Sequence, residues 1–405
     1  MNIADLSFYF VAGLLPLSVM AWMLGRNKVT KATTRERWNS RPGHYGWYSI
    51  VWLATPALAV ALLAGLLHLA GLYTVPATTF LIIALIAAAA GCWQGLRMIQ
   101  PSLRARDSIE KVIRGLLIAA ALTSILTTIG IVIAIIFEAI KFFEIVSFWE
   151  FITGTQWSPD AASGDNVHGM FGSIPIFAGT FMVTIIAMLV AVPVGLLSAI
   201  FIAEYATDGF RNVAKPALEV LAGIPTVVYG FFAAITVSPL VVKFASAVGL
   251  HADYTNALAP GLVMGIMIIP FISSLSDDVI RSIPQSMREG SLALGTTMSE
   301  TVKQVLLPAA LPGIVAAFLL AISRALGETM IVVMAAGLRP NLTWNPLEGM
   351  TTVTVRIVDA LTGDQAFDSP ETLSAFGLGL VLLFITLILN VISIYVIRRF
   401  RQHYE

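Results

Sequence analysis

Long uninterrupted apolar runs recur along almost the whole of this 405-residue chain. About nine of them, near 4–25, 48–71, 75–96, 115–139, 174–204, 216–242, 258–275, 308–337 and 373–397, match the roughly 20 residues a helix needs to cross a bilayer. No water-soluble core accommodates so many. Charged residues make up only 12% of the chain against 57% hydrophobic, whereas soluble domains carry about 25% charged residues. The runs are continuous and do not alternate, so they are helices rather than barrel strands. The expected fold class is an all-α integral membrane protein with about nine transmembrane helices. The first residues lack a basic leader and an evident cleavage site, so the first run reads as a retained span.

Lys and Arg alternate between loops in a way that sets orientation. Arg26, Lys28, Lys31, Arg35, Arg37 and Arg41 follow the first run, and Arg97, Arg104, Arg106, Lys111 and Arg114 follow the third. Arg211, Lys215, Arg281, Arg288, Lys303 and the tail residues Arg398, Arg399 and Arg401 fall on the same side. The other side has only Lys141, Lys243, Arg339 and Arg356. The positive-inside rule then places the N-terminus outside and the C-terminus in the cytoplasm. Net charge is zero, which gives no bulk attraction to nucleic acid. Composition changes near residue 112, so the chain reads as a three-span segment, 1–112, followed by a core, 113–405.

Between the seventh and eighth runs lies a charged stretch, about 277–307. Pro284 suits the first turn of a helix, where its missing N–H is unpaired anyway. Gly295 suits a stop, since it enters the left-handed region without a Cβ clash. Thr297 and Glu300 form a capping-box pattern that restarts the helix. The pattern is helix, tight turn, helix, then apolar sequence from Leu307-Pro308. It is either a handle for a soluble partner or an ordinary cytoplasmic loop.

The eighth run contains Ser323-Arg324-Ala-Leu-Gly327-Glu328-Thr329-Met. Arg324 and Glu328 are four apart, which on a continuous helix puts them on one face. Arg324 would lie roughly 24 Å along that helix from Pro308, beyond the midplane toward the outside. A charge there costs about 2.5–3.5 kcal/mol or more, and such residues usually face a wet cavity. The guanidinium fork suits an oxyanion such as phosphate. The alternative is a salt bridge that only pins helices together.

Other features are weaker. Pro193 should kink the fifth span, and Gly223-Ile-Pro225 the sixth. Two outer segments, about 141–172 and 338–371, read as docking surfaces, as an interfacial amphipathic piece in the first case, or as solvated caps. His44, His68, His168, His251 and His403 have no ligand spacing, so no metal site is expected. No Gly-rich loop ends in Gly-Lys-Ser/Thr, so no nucleotide site is expected on this chain. Cys92 stands alone and forms no internal disulfide.

Glu289-Gly290-Ser291, Gly295 and Val305-Leu-Leu307-Pro308 resemble the EAA motif of ABC-importer permeases, with Gly290 and Ser291 in place of two alanines. Phe201-Ile-Ala-Glu204-Tyr-Ala206, Ala222-Gly-Ile-Pro225-Thr-Val-Val-Tyr229-Gly230 and Ser323-Arg324-Ala-Leu-Gly327-Glu328-Thr329-Met resemble the phosphate-transport permeases, PstC type rather than PstA type. The resemblance covers about 113–405. It implies a six-helix type I ABC-importer permease core preceded by three extra spans, in a bacterial inner membrane with the outside as periplasm. It implies a non-catalytic subunit that moves inorganic phosphate inward, with a PstA-type permease, a PstB-type ATPase dimer and a PstS-type periplasmic phosphate-binding protein as partners. ATP and Mg would sit on the ATPase, and no cofactor on this chain. Arg324, Glu328, Ser323 and Thr329 would line the substrate pathway, and Glu289, Gly290, Ser291, Gly295, Leu307 and Pro308 would couple to the ATPase. The competing expectations are the same architecture for sulfate, molybdate or phosphonate, and a secondary anion transporter.

Overall fold

The computed structural model describes residues 3–32, 38–69, 77–159, 169–362 and 368–400. Arg35, Arg37, Asp160, Asp165, His168, Asp364, Arg401, His403 and the side chain of His68 lie outside the described residues. The described chain is helical apart from loops and one isolated bridge, Trp157 to Phe171. Eight helical segments among the described residues are long and apolar enough to span a membrane, and the 28-residue first helix stands beside them.

Contacts divide the chain into two compact units, Met1–Gly130 and Ile131–Glu405. The first contains α1 (Ile3–Thr30), α2 (Pro42–Leu69), α3 (Ala77–Met98) and the beginning of α4 (Ala105–Ile145). Its core is made of small and aliphatic side chains, Ala21, Leu53, Ala57, Ala88 and Cys92. The Tyr45 hydroxyl donates to the Leu103 carbonyl at 2.9 Å, closing the end where the basic loops lie.

The second unit continues with α5 (Phe148–Thr153) and α6 (Ile174–Ile200), which ends in a π turn, Phe201–Tyr205. Then come α7 (Asp208–Ala222), α8 (Thr226–Phe232), a π turn Ala233–Val237, α9 (Ser238–Ala247) and α10 (Leu258–Arg281). After α11 (Gln285–Ala293) and α12 (Met298–Thr301), a π turn Val302–Leu306 leads into α13 (Leu307–Leu326). The chain closes with α14 (Met330–Ala335), α15 (Val353–Thr362) and α16 (Pro370–Phe400).

The centre of this unit is the pairing of α6 with α10. On α6, Ala187, Ala191, Gly195 and Ala199 recur every four residues and all are buried. On α10, Gly265 lies against Ala187 and Val190 and Gly261 against Val183 and Ile186, while Gly195 of α6 lies against Ile269 and Ile272, small residues that let helix backbones approach in an apolar medium. A Cβ added at Gly265 would fall 2.8 Å from Val190 Cβ and 2.9 Å from the Ala187 carbonyl. Of the spanning helices, α10 is the most enclosed.

Two expected spans change. The run at 216–242 is not one helix: α7 ends at Ala222, and α8 starts at Thr226 with Pro225 at its N-cap. Pro225 has no N–H to continue a ladder and pushes Ile224 out of the helical region, so the expected kink becomes a full break. The run at 308–337 also breaks, because α13 stops at Leu326 with Gly327 as its C-cap. Pro193 lies inside α6, which continues through it.

The outer segments are more than solvated caps. Phe142, Phe151 and Phe171 are fully buried and, with Trp157, form a chain of edge-to-face ring contacts 5.3–6.4 Å apart. In the second segment Met350, Thr351 and Val353 are fully buried, and the Val353 N–H donates to Thr180 Oγ1 of α6 at 3.0 Å.

Candidate anion pathway and coupling surface

Arg324 occupies the last turn of α13, where a cation complements the helix C-terminus. Its guanidinium carbon stands 5.5 Å from the centre of the Phe271 ring on α10. No hydrogen bond or ion pair to it is present among the described residues. Phe271 is 10 residues from Arg281 and 13 from Leu258, or about 15 and 20 Å along α10. Arg324 therefore lies level with the middle of α10.

The expected Arg324–Glu328 pair does not form. Because α13 ends between them, the two side chains no longer share a helix face. The Glu328 carboxylate accepts instead from the backbone N–H groups of Thr329 and Met330, both at 3.1 Å. It satisfies orphan donors at the start of α14, as an acidic cap does. The Glu328 carbonyl accepts from Thr354 Oγ1 at 2.8 Å. Ser323 Oγ reaches Asn390 Oδ1 on α16 at 3.3 Å, and Thr329 Oγ1 reaches the Gly327 carbonyl at 3.4 Å. Of the four pathway residues expected from sequence, Arg324 alone lines the cavity described next.

That cavity, about 220 Å³, runs from Arg324 past Phe271 and Ser273 to Lys215, Glu219 and Asp277. Asp277 is 2% exposed and is held from two sides: Lys215 Nζ lies 3.0 Å from Oδ2 and Arg281 Nε 2.7 Å from Oδ1. Lys215 also reaches Asp278 Oδ1 at 3.2 Å. Its hydrogen bond to Asp277 pushes the ammonium above its ordinary pKa, against the opposing pull of burial. The Ser273 hydroxyl is buried and has no hydrogen-bond partner among the described residues.

A second buried ion pair stands at the α11–α12 end. Arg288 Nε and Nη2 donate to Glu204 Oε1 at 3.0 and 2.8 Å, with side-chain exposures of 11% and 4%. Arg288 also donates to the carbonyls of Ile283 and Ile280, at 2.6 and 2.8 Å. One guanidinium thus fastens α11 to the end of α10 and to the π turn after α6. Arg211 does similar work nearby, donating to the Ile202 and Ala203 carbonyls in that turn.

The helix pair itself follows its local signals. Gly295 has φ +84°, the left-handed conformation its position demands. Thr297 and Glu300 form the reciprocal capping box, and α11 begins right after Pro284, which serves as N-cap rather than first residue. Ser291 is buried and shares hydrogen bonds with Thr296 and Thr301 at 2.8 and 3.0 Å, tying the two helices together. Glu289 and Gly290 face outward, as do Leu292 and the 86% exposed Leu294.

A helical membrane core with an exposed helix pair has counterparts among known proteins. The model of the family described as binding-protein-dependent transport system inner membrane component matches residues 191–404, from α6 to the C-terminal tail. The chain belongs to this family. A second model, described as phosphate ATP-binding cassette transporter, matches residues 11–75. The probable ABC transporter permease protein YqgH of Bacillus subtilis is 36% identical over 275 residues, covering 67% of this chain and 86% of that protein. The phosphate transport system permease protein PstC 1 of Mycobacterium tuberculosis is 34% identical over 277 residues, covering 62% and 81%. The probable phosphate transport system permease protein PstC of Methanocaldococcus jannaschii is 32% identical over 266 residues, covering 62% and 82%. Among solved structures, a bacterial alginate ABC transporter in complex with an alginate-loaded periplasmic protein aligns over 72% of this chain and 98% of its own, with TM-score 0.50 at 17% identity. At that identity the likeness concerns fold alone, and it supports the type I importer architecture. As a permease component, this chain is a multi-pass subunit of a transporter that works with an ATPase and a substrate-binding protein.

Sequence reasoning missed Lys215, Asp277 and Ser273 as members of the Arg324 cavity, and Glu204 with Arg288 as a pair. Partners separated by 62 and 84 residues leave no local signature. The available signal was the unusual placing of Asp277 and Glu204 at the ends of apolar runs, where a lone carboxylate calls for a cation.

Proposed function

We propose that this chain is the membrane permease subunit of an ATP-driven importer of inorganic phosphate. The reading rests on one observation above all: relatives named for phosphate transport, from a bacterium and an archaeon, are 32–34% identical over about four fifths of their own lengths. The separate N-terminal match to a phosphate transporter family supports it. So does an Arg324 guanidinium that lines a cavity without a carboxylate partner of its own, since a planar fork of donors suits an oxyanion.

In this reading the chain pairs with a PstA-type permease, binds a PstB-type ATPase dimer through Glu289–Pro308, and receives phosphate from a PstS-type periplasmic protein. It catalyses nothing itself; ATP and Mg act on the ATPase. The chain sits in the bacterial inner membrane with its N-terminus periplasmic and its C-terminus cytoplasmic, which puts α11 and α12 on the ATP side. Residues 1–112 form a three-span extension and 113–405 the transport core. Arg324 is the transient anion contact. Glu328 acts one step away, by fixing the helix break that leaves Arg324 at the end of α13.

The test is uptake of labelled phosphate by the reconstituted complex, with sulfate, molybdate and a phosphonate as competitors. Phosphate alone should compete at low excess. Arg324→Gln should lower uptake roughly 10- to 100-fold, the worth of one charge-assisted hydrogen bond, while the complex still assembles. Preferential competition by another oxyanion, or uptake without the ATPase, would overturn the reading.

A further inference from the structure

We propose that Lys215 is a second anion contact, on the cytoplasmic side of Arg324, and that Asp277 is its resting counter-ion. The inference rests on the phosphate-permease reading and adds a binding position to it.

The cavity supplies the route. Arg324 and Lys215 line the same 220 Å³ space, so an anion leaving one cation is still within the space that the other lines. On α10, Phe271 beneath Arg324 and Asp277 beside Lys215 are six residues apart, about 9 Å along the helix. The Ser273 hydroxyl lies between them in sequence, lines the cavity and has no partner among the described residues. A buried hydroxyl left unpaired is costly, and a passing oxyanion would accept from it.

The ion-pair geometry makes Lys215 the member free to leave. Asp277 uses one oxygen for each of two cations, so Arg281 still holds it at 2.7 Å when Lys215 swings away. Both line the cavity, but Lys215 is about one-third exposed while Asp277 is 2% exposed, so the ammonium is the accessible, movable member and the carboxylate the fixed one. Lysine is suited to this exchange, because its ammonium is a point charge with three rotatable donors on a flexible stem. After the anion departs, Asp277 and Asp278 recapture the ammonium. Glu219, one turn along α7 and lining the same cavity, adds a charge that opposes retention. Two cations draw the anion inward, and three carboxylates keep it from staying.

The experiment measures labelled inorganic phosphate uptake by the complete complex carrying Lys215→Met, Lys215→Arg or Lys215→Met with Asp277→Asn. Assembly is followed by co-purification of all subunits. Lys215→Met should reduce uptake roughly 10- to 100-fold, matching loss of one hydrogen bond to a charged group, and Lys215→Arg should recover most of it. The double variant decides between contact and scaffold. A lysine needed only to neutralise Asp277 is dispensable once Asp277 is neutral, so uptake at the wild-type rate by the double variant overturns the proposal. Uptake as low as in Lys215→Met alone supports it. Should Lys215→Met fail to assemble, the double variant, free of the unneutralised charge, gives the answer alone. Wild-type uptake of phosphate with an unaffected Lys215→Met overturns the Lys215 role and leaves the phosphate reading standing. Wild-type failure to take up phosphate overturns the reading itself.

Discussion

Glu204 and Arg288 offer the sharpest quantitative test of how α11 is held. Removing one member of a buried ion pair costs about 3–5 kcal/mol, because the survivor is left buried and unpaired. The structure makes the two deletions unequal. In Glu204→Ala, the Arg288 guanidinium keeps two backbone acceptors, the Ile280 and Ile283 carbonyls, so the loss should fall near 3 kcal/mol. In Arg288→Met, the Glu204 carboxylate, 4% exposed, loses the donors that hold it, and the carbonyls at the end of α10 lose theirs. That loss should reach about 5 kcal/mol. The double variant should cost clearly less than the sum, since the pair is then absent rather than broken. The assay is thermal unfolding of the solubilised complex, read as the fraction remaining monodisperse after heating, together with co-purification of the ATPase. The expected order of loss is Arg288→Met, then Glu204→Ala. Equal stability of all variants, or Glu204→Ala the worse of the two, would refute the reasoning.

Other expectations follow from single positions. Gly290 is exposed in α11 with nothing within 4 Å of an added Cβ, so Gly290→Ala should stabilise that helix by up to about 1 kcal/mol; a fall in thermal stability would contradict this. Gly295→Ala should strain the turn at φ +84° by about 1–2 kcal/mol and loosen ATPase co-purification; unchanged association would count against the turn's role. Gly265→Ala drives a methyl to within 2.8 Å of Val190 Cβ and should cost about 1–3 kcal/mol by overpacking, seen as a lower unfolding temperature. Since the Lys215 pKa is raised in the fold, its bridge is complete below the unfolded value of about 10.4 and is lost only as pH rises through the higher folded value. Uptake across the neutral range should therefore show no inflection that Lys215→Arg removes.

What could be read from the sequence was what short range decides. Thr297 and Glu300 are three residues apart, and the cap they predict forms as written. Span length is a sum over neighbouring residues, and it locates most of the long helices, although α4 starts ten residues before the expected 115 and α10 runs six beyond the expected 275. The two failures, at 216–242 and 308–337, both lie where apolar sequence continues across a break. Hydropathy does not register that Pro225 lacks a donor or that Gly327 ends a helix. The second break also depended on a distant fact: Glu328, which looked like half of an ion pair, is used as a cap for the six residues that follow. A carboxylate four residues from an arginine has two uses, and only the location of the helix end chooses between them.

The break at Gly327 changes how force would reach the anion. On one unbroken eighth span, a push at Glu289–Leu307 would travel along a single rod through Arg324 and beyond. In the structure α13 carries that push only as far as Arg324, which stands in its last turn. A second route leaves α11 through Arg288, whose contacts with Ile280, Ile283 and Glu204 bind it to α10 and to the end of α6. Both routes end at the same cavity, since α10 carries Phe271 under Arg324 and Asp277 against Lys215. A displacement of α11 that moves α10 relative to α13 must therefore alter the spacing between the two cations. A motion of α13 alone would shift Arg324 and leave the Lys215–Asp277 pair intact. Either motion displaces α13 against α10, so cross-linking the two helices through paired cysteines tests whether that displacement is needed. Uptake should stop while ATP hydrolysis continues if relative motion is required, and full uptake in the cross-linked complex would rule that motion out.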